Sequence, residues 1–154
     1  MKTLVLVFHP HLEKSQVNRK LMDIANETGD VTVIDEYAEY PDFHINVERE
    51  QKLIESHDRI VLQFPFYWYS SPALLKQWED AVLQAGWAYG GGHALEGKEF
   101  MVAVSTGSPA DSYTREGSHV RTMRSCSPVR NDVPHVACHI SQAVLIQRSS
   151  TSTE

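Results

Sequence analysis

Residues 59–72 read RIVLQFPFYWYSSP, and the succession of chemistries in that stretch sets the architecture. The run 59–64 is apolar and short, without the alternation of a half-exposed strand, so it is expected to be a strand buried on both faces. Four aromatics then follow almost without a break, and they cannot all face one core. From Pro72 to residue 85 the pattern returns to helical period. Pro72 fits the first turn, where its missing N–H would be unpaired anyway. A doubly buried strand that passes through a loop into a helix is one unit of a parallel sheet.

The same unit recurs on either side. Residues 3–8 (TLVLVF), 31–34 and 99–106 (EFMVAVST) are the other strand candidates. Between them, 16–28 places Val17, Leu21, Ile24 and Ala25 on one helix face behind Ser15 as N-cap, and 47–56 is a helix with Val47, Leu53 and Ile54 on its apolar side. Glu48, Arg49, Glu50 and Lys52 read as its solvated face. The expected fold class is α/β, a doubly wound parallel sheet with right-handed crossovers and helices on both faces. Such sheets bind ligands at the carboxyl ends of their strands, where strand order reverses.

Composition narrows the function. At 154 residues the chain is one domain, and its net charge of −6, with no Lys/Arg block, argues against nucleic acid as a partner. No apolar run reaches the length of a membrane span, and the N-terminal apolar run is too short for a signal peptide, so a cytoplasmic protein is expected. Cys126 and Cys138 allow at most one bridge. His135 and His139 with Cys138 have a metal-like spacing, but no second ligand pair backs them and no metal site is expected. His44, His57 and His93 read as surface residues.

Three loops carry the unusual chemistry. After the first strand, His9-Pro10-His11 leads to Ser15, Val17 and Asn18 at a helix N-terminus, which suits a phosphate or is an ordinary polar turn with a Ser cap. It lacks the glycines of a P-loop or dinucleotide fingerprint. After the third strand, Pro65, Phe66, Tyr67, Trp68 and Tyr69 form either a stacking platform for a planar ligand or a dimer contact, and a ligand at a dimer seam satisfies both. After the fourth, Ser105, Thr106, Gly107 and Ser108 allow backbone N–H groups to approach a ligand closely. Tyr113 and His119 lie beyond, either plain surface residues or a pair at a ligand's polar edge.

Taken together, His9-Pro10 with Ser15 and Asn18, Tyr40-Pro41-Asp42-Phe43 with Glu50-Gln51, Phe64-Pro65 through Ser70, Pro72 to Lys76 with Trp78 and Asp80, and Gly86-Trp87-Ala88-Tyr89 resemble the flavodoxin-like NAD(P)H:quinone oxidoreductases. The likeness is greatest to the bacterial branch that includes the ancillary proteins of glutathione-regulated potassium efflux, and it covers residues 2–119. It implies a five-stranded parallel sheet and FMN as cofactor, FAD being the choice of longer members. By the same resemblance, His9, Ser15, Val17 and Asn18 would surround the flavin phosphate. Pro65, Phe66, Tyr67, Trp68 and Tyr69 would line the ring, and Ser105, Thr106, Gly107 and Ser108 would bond its far edge. Tyr113 and His119 match the positions that stabilise charge on the reduced ring. The implied enzyme is an NAD(P)H dehydrogenase (quinone) that works by ping-pong hydride transfer as a homodimer. The alternative it implies is a regulatory subunit at the inner face of the membrane, bound to a potassium-efflux transporter.

The tail departs from that pattern. Residues 1–120 hold 10 basic and 18 acidic side chains, whereas 121–154 hold four arginines, two acids, no lysine and both cysteines. We therefore divide the chain into a flavin-binding domain, 1–119, and an atypical tail, 120–154, in which 143–147 (AVLIQ) is the one strand candidate and the fifth strand is expected to be absent or altered. A shift of reading frame would account for the change: synonymous codons allow residues 128–131 to be read as Pro-Phe-Glu and 143–145 as Pro-Phe, at the family's spacing.

Overall fold

The computed structural model describes residues 1–68 and 70–107 with their side chains, and the backbone of His139–Gln147. Five strands, β1 (Thr3–Val7), β2 (Val31–Asp35), β3 (Arg59–Pro65), β4 (Glu99–Thr106) and β5 (His139–Gln147), form one sheet in the order β2-β1-β3-β4-β5. All four pairings are parallel. Strand order reverses between β1 and β3, as expected of the flavodoxin-like arrangement.

The fifth strand, expected to be absent or altered, is present in the sheet. It extends the AVLIQ candidate back to His139 and pairs with the open edge of β4, with a register irregularity between Phe100 and Met101. An apolar, β-branched run beside an unpaired strand edge has the hydrogen-bonding partner it needs.

Four α-helices were identified among the described residues: α1 (Gln16–Asn26), α2 (Glu36–Glu39), α3 (Val47–Glu55) and α4 (Ala73–Val82). Local chemistry starts three of them. Ser15 Oγ accepts from Asn18 N, Asp35 Oδ1 from Tyr37 N and Ala38 N, and Asn46 Oδ1 from Arg49 N. Each cap satisfies backbone donors that the first helical turn leaves without a carbonyl.

The alternating side chains of β1 divide the core. Leu4, Leu6 and Phe8 join Ile60, Leu62, Ile54, Leu74, Leu75, Trp78 and Val82 on the face covered by α3 and α4. Val5 and Val7 join Leu12 on the other, packed against Met22 and Ala25 of α1. Phe8 meets Trp78 edge to face, with centroids 5.9 Å apart. At about 1.5–3 kcal/mol for each fully buried apolar side chain, the α3–α4 face supplies most of the hydrophobic stabilisation.

Three readings of single residues need correction. Glu50, placed on a solvated helix face, is fully buried, because Tyr40 Oη, Arg49 Nη1 and Trp78 Nε1 donate to its carboxylate. His57, read as surface, is 7% exposed, with its ring nitrogens 2.7 Å from Leu53 O and 2.8 Å from Thr32 Oγ1. Ile24, assigned to the apolar face of α1, is 52% exposed. In addition, α2 has no counterpart in the sequence reading.

Candidate functional site

The carboxyl ends of β1, β3 and β4 meet at one rim. Beyond β1, Phe8 N donates to Gln63 O on β3 (2.8 Å), which brings His9 to the sheet edge at 9% exposure. His9 Nδ1 accepts from His11 N at 3.1 Å, so the neutral ring carries its proton on Nε2. Burial, and then the neighbouring His11, hold the pKa of His9 below the usual histidine value. At neutral pH this residue is an uncharged donor. A turn of 3-10 helix, Leu12–Lys14, then delivers Ser15 to the N-terminus of α1, where the N–H groups of Gln16 and Val17 have no intrahelical partner by helix geometry.

The loop after β3 is tied to its neighbours on both sides. Phe66 N donates to Ser105 O of β4 at 2.8 Å, and the Tyr67 ring lies edge-on to His9, centroids 6.4 Å apart. Tyr67 and Ser70 exchange two backbone hydrogen bonds, closing a tight turn at whose tip Trp68 adopts a left-handed backbone (φ 43°) and is 92% exposed. A left-handed backbone is uncommon for a residue other than glycine. Pro65 is buried and Phe66 half-buried.

A single side chain joins the first loop to β4: Asn18 Nδ2 donates to Ser15 Oγ (3.2 Å) and to Ser105 Oγ (2.8 Å). Thr106 is buried, and Gly107 is exposed at the strand end. The structure thus brings His9, Ser15, Asn18, Phe66, Tyr67 and Ser105 into one connected group. Val17, Pro65, Thr106 and Gly107 lie on the same elements, and Trp68 projects outward. Tyr69, Ser108, Tyr113 and His119 lie outside the described residues, as do His135 and Cys138.

One site residue escaped sequence reading. Gln63 of β3, 3% exposed, donates through Nε2 to the backbone carbonyl of Asn18 at 2.9 Å. Its signal was a lone polar residue inside the apolar run RIVLQF, since a polar group in a doubly buried strand requires a partner.

Two hollows flank these elements. One of about 210 Å³ runs along α1 beside Ser15, lined by Lys14, Arg19 and Lys20 as well as Glu13 and Asp23. The other, about 480 Å³, follows α3 and contains none of the rim residues. Size alone is therefore a poor guide to the chemistry. Among the described residues no helix is long and apolar enough to cross a membrane.

A parallel sheet in this order, with a helix N-terminus, a neutral imidazole, hydroxyls and an aromatic loop at its reversal point, defines a flavodoxin-like α/β protein. The chain belongs to the family of the flavodoxin-like fold, whose model matches residues 1–132. It is 57% identical over 120 residues to the "Uncharacterized NAD(P)H oxidoreductase YrkL" of Bacillus subtilis (strain 168), a match that spans 77% of this chain and 69% of that protein. It is 48% identical over 119 residues to the glutathione-regulated potassium-efflux system ancillary protein KefG of Pectobacterium atrosepticum, spanning 77% of this chain and 65% of the relative, just under two thirds. Among solved structures, general stress protein 14 of Treponema denticola in complex with FMN superposes with a TM-score of 0.87 at 39% identity, over 97% of this chain and 88% of that one. An NADPH-quinone reductase from P. pentosaceus gives 0.80 at 34% identity, over 96% and 85%.

Proposed function

We propose that this protein is an FMN-dependent NAD(P)H:quinone oxidoreductase. The observation that carries the reading is the bonded junction of the three loops at the reversal point of the sheet, His9 against Tyr67 and Asn18 between Ser15 and Ser105. The donor set fits a flavin mononucleotide. At one end the N-terminus of α1, the Ser15 hydroxyl and the Nε2–H of His9 offer donors to a phosphate. At the other, Phe66, Tyr67 and Trp68 give aromatic surface to a planar ring, while Ser105, Thr106 and Gly107 bound its edge. Support comes from the relatives named as NAD(P)H oxidoreductase and NADPH-quinone reductase, and from the FMN-bound neighbour.

When bound, FMN would supply two-electron hydride chemistry between NAD(P)H and a quinone. This chain's residues would do the rest. His9, Ser15, Val17 and Asn18 hold the phosphate end. Pro65, Phe66, Tyr67, Trp68 and Tyr69 hold the ring and shape the slot that nicotinamide and quinone enter in turn. Ser105 to Ser108 would bond the far edge of the ring, and Tyr113 and His119 would stabilise negative charge at that edge. The exposed Tyr67, Trp68 and Tyr89 supply the apolar surface of a homodimer contact.

The test is direct: purified protein should carry or take up FMN, seen as yellow flavin absorbance, and should oxidise NADH or NADPH when a small quinone is added. Failure to acquire flavin absorbance with FMN or FAD overturns the reading.

A second reading rests on the efflux-system relative. In it the same flavin site belongs to a cytoplasmic ancillary subunit that docks on a membrane potassium transporter. Slow quinone turnover, combined with co-sedimentation on vesicles holding the transporter but not on empty ones, would favour it. We also propose that residues 120–154 derive from a shifted frame downstream of a flavin-binding domain, 1–119. Resequencing that finds no single-base insertion or deletion in the codons for residues 117–128 able to restore the family pattern removes this idea.

A further inference from the structure

Asn18 is 2% exposed, and its side chain is engaged entirely inside the protein. The orientation of its amide follows from its neighbours. A backbone carbonyl can only accept, so Gln63 must turn its nitrogen toward Asn18 O, 2.9 Å away. That nitrogen lies 3.5 Å from Asn18 Oδ1, which places the amide oxygen on the Gln63 side. The two hydrogens of Nδ2 then face two serines, Ser15 Oγ at 3.2 Å and Ser105 Oγ at 2.8 Å.

The consequence falls on the serines. A hydroxyl has two lone pairs and one hydrogen. Ser15 Oγ accepts from both Asn18 Nδ2 and Asn18 N, so only its hydrogen remains to be given. Ser105 Oγ, accepting from Asn18, must likewise turn its hydrogen elsewhere. Two rotors, 90 residues apart in the chain, have their donors set by one amide.

We propose that Asn18 is a positioning residue that makes the Ser15 and Ser105 hydroxyls fixed donors at the phosphate and ring ends of the cofactor cleft. The proposal rests on the flavin reading above and changes what Asn18 does within it: the side chain orients the groups that touch the ligand and does not itself touch it. Gln63 is the anchor that keeps the amide from flipping. Donors fixed before the ligand arrives need no reorganisation when it binds. The cleft should therefore prefer a flavin with acceptors at both ends, the phosphorylated form over riboflavin.

FMN and riboflavin titrations on the full chain, read by flavin fluorescence, test this. Asn18→Asp offers acceptors only, so both hydroxyls must donate to it and present lone pairs to the ligand. FMN affinity should fall on the order of 100-fold, two misdirected hydrogen bonds being at stake. Asn18→Ala frees the rotors and should cost about tenfold. In both variants the preference for FMN over riboflavin should shrink, and the visible band of bound FMN should shift. A merely structural role would lower thermal stability while leaving that ratio and that band unchanged, and this result overturns the proposal. If Asn18→Asp does not fold, the double cycle of Asn18→Ala with Ser105→Ala decides: non-additive losses support the brace, additive ones reject it. A wild-type chain that takes up no flavin overturns the functional reading itself, whereas wild-type binding with unaltered variant ratios overturns only the role of Asn18.

Discussion

Two hydrogen-bond networks run through the interior, one around Glu50 and one around Asn18, and they differ in how they end. The Glu50 carboxylate lies between Tyr40 Oη at 2.6 Å, Arg49 Nη1 at 2.9 Å and Trp78 Nε1 at 3.0 Å, with α3 and α4 closed over it. The hydrogens aimed at that carboxylate are all taken up by it, and the one member that reaches the surface, Arg49 at 34% exposure, is paired there with Glu39 at 3.2 Å. The Asn18 network starts equally deep, at Gln63, but ends on serine hydroxyls that keep a hydrogen to give. Burial of a polar group is thus no mark of function. What separates a structural network from a binding one is whether capacity remains at its rim.

The largest effect should come from opening the closed network. Trp78→Ala removes a fully buried ring together with a donor to Glu50, and should cost about 3–5 kcal/mol in urea unfolding. A loss comparable to a surface substitution would mean that α4 is not held through this contact.

Next is the flaw beside that network. Glu36 is fully buried, and neither of its oxygens has a hydrogen-bond partner among the described residues. Burial, and then the charge of Glu50, push its pKa up to about 9 from an ordinary 4.5, with Arg49 opposing and Glu39 and Asp35 adding to the rise. Between those values the folded chain keeps a proton that the unfolded chain has released. The contribution of Glu36 to stability is therefore fully present below about pH 4.5 and is lost as pH rises toward 9. Glu36→Gln should flatten that decline. Urea midpoints across that range that fall equally in both proteins would show that Glu36 is not its source.

Ser15 stands where the two kinds of network meet, since it caps α1 and faces the rim. Ser15→Ala should cost about 1 kcal/mol of stability, the usual worth of an N-cap, and weaken FMN by more than that figure alone accounts for. Equal losses in stability and affinity would reduce Ser15 to a cap.

The smallest effect on stability belongs to Trp68. At 92% exposure, Trp68→Ala should move the unfolding free energy by no more than about 0.5 kcal/mol while slowing quinone turnover. Unchanged turnover, with an unchanged oligomeric state by light scattering, would remove Trp68 from the site.

Much of this architecture is legible in the sequence. The cores of β1 to β4, α1, α3 and α4 were found because runs of apolar residues and helical spacing report burial directly. The three rim loops followed from the strand ends. By contrast α2 was missed, since four residues are too few to show a period. Glu50 was misread because a charged residue in a helix is taken as solvated. Its position, three after Val47 and four before Ile54, put it on the apolar stripe and was the available warning. His57 was misjudged for a similar reason: Leu53 lies one turn back, but Thr32 is 25 residues away and sits on another strand.

The parallel sheet, the succession of its units and the chemistry gathered at its carboxyl edge can be read along the chain, because periodicity and strand ends are local properties. The burial of Glu50, the place of Gln63 beside the rim and the link that Asn18 makes between serines 90 positions apart emerge only from the packed fold. Those facts depend on which distant donors meet which acceptors. A hydrogen bond is fixed by distance and angle in space, and neither is written in the spacing of residues along a chain.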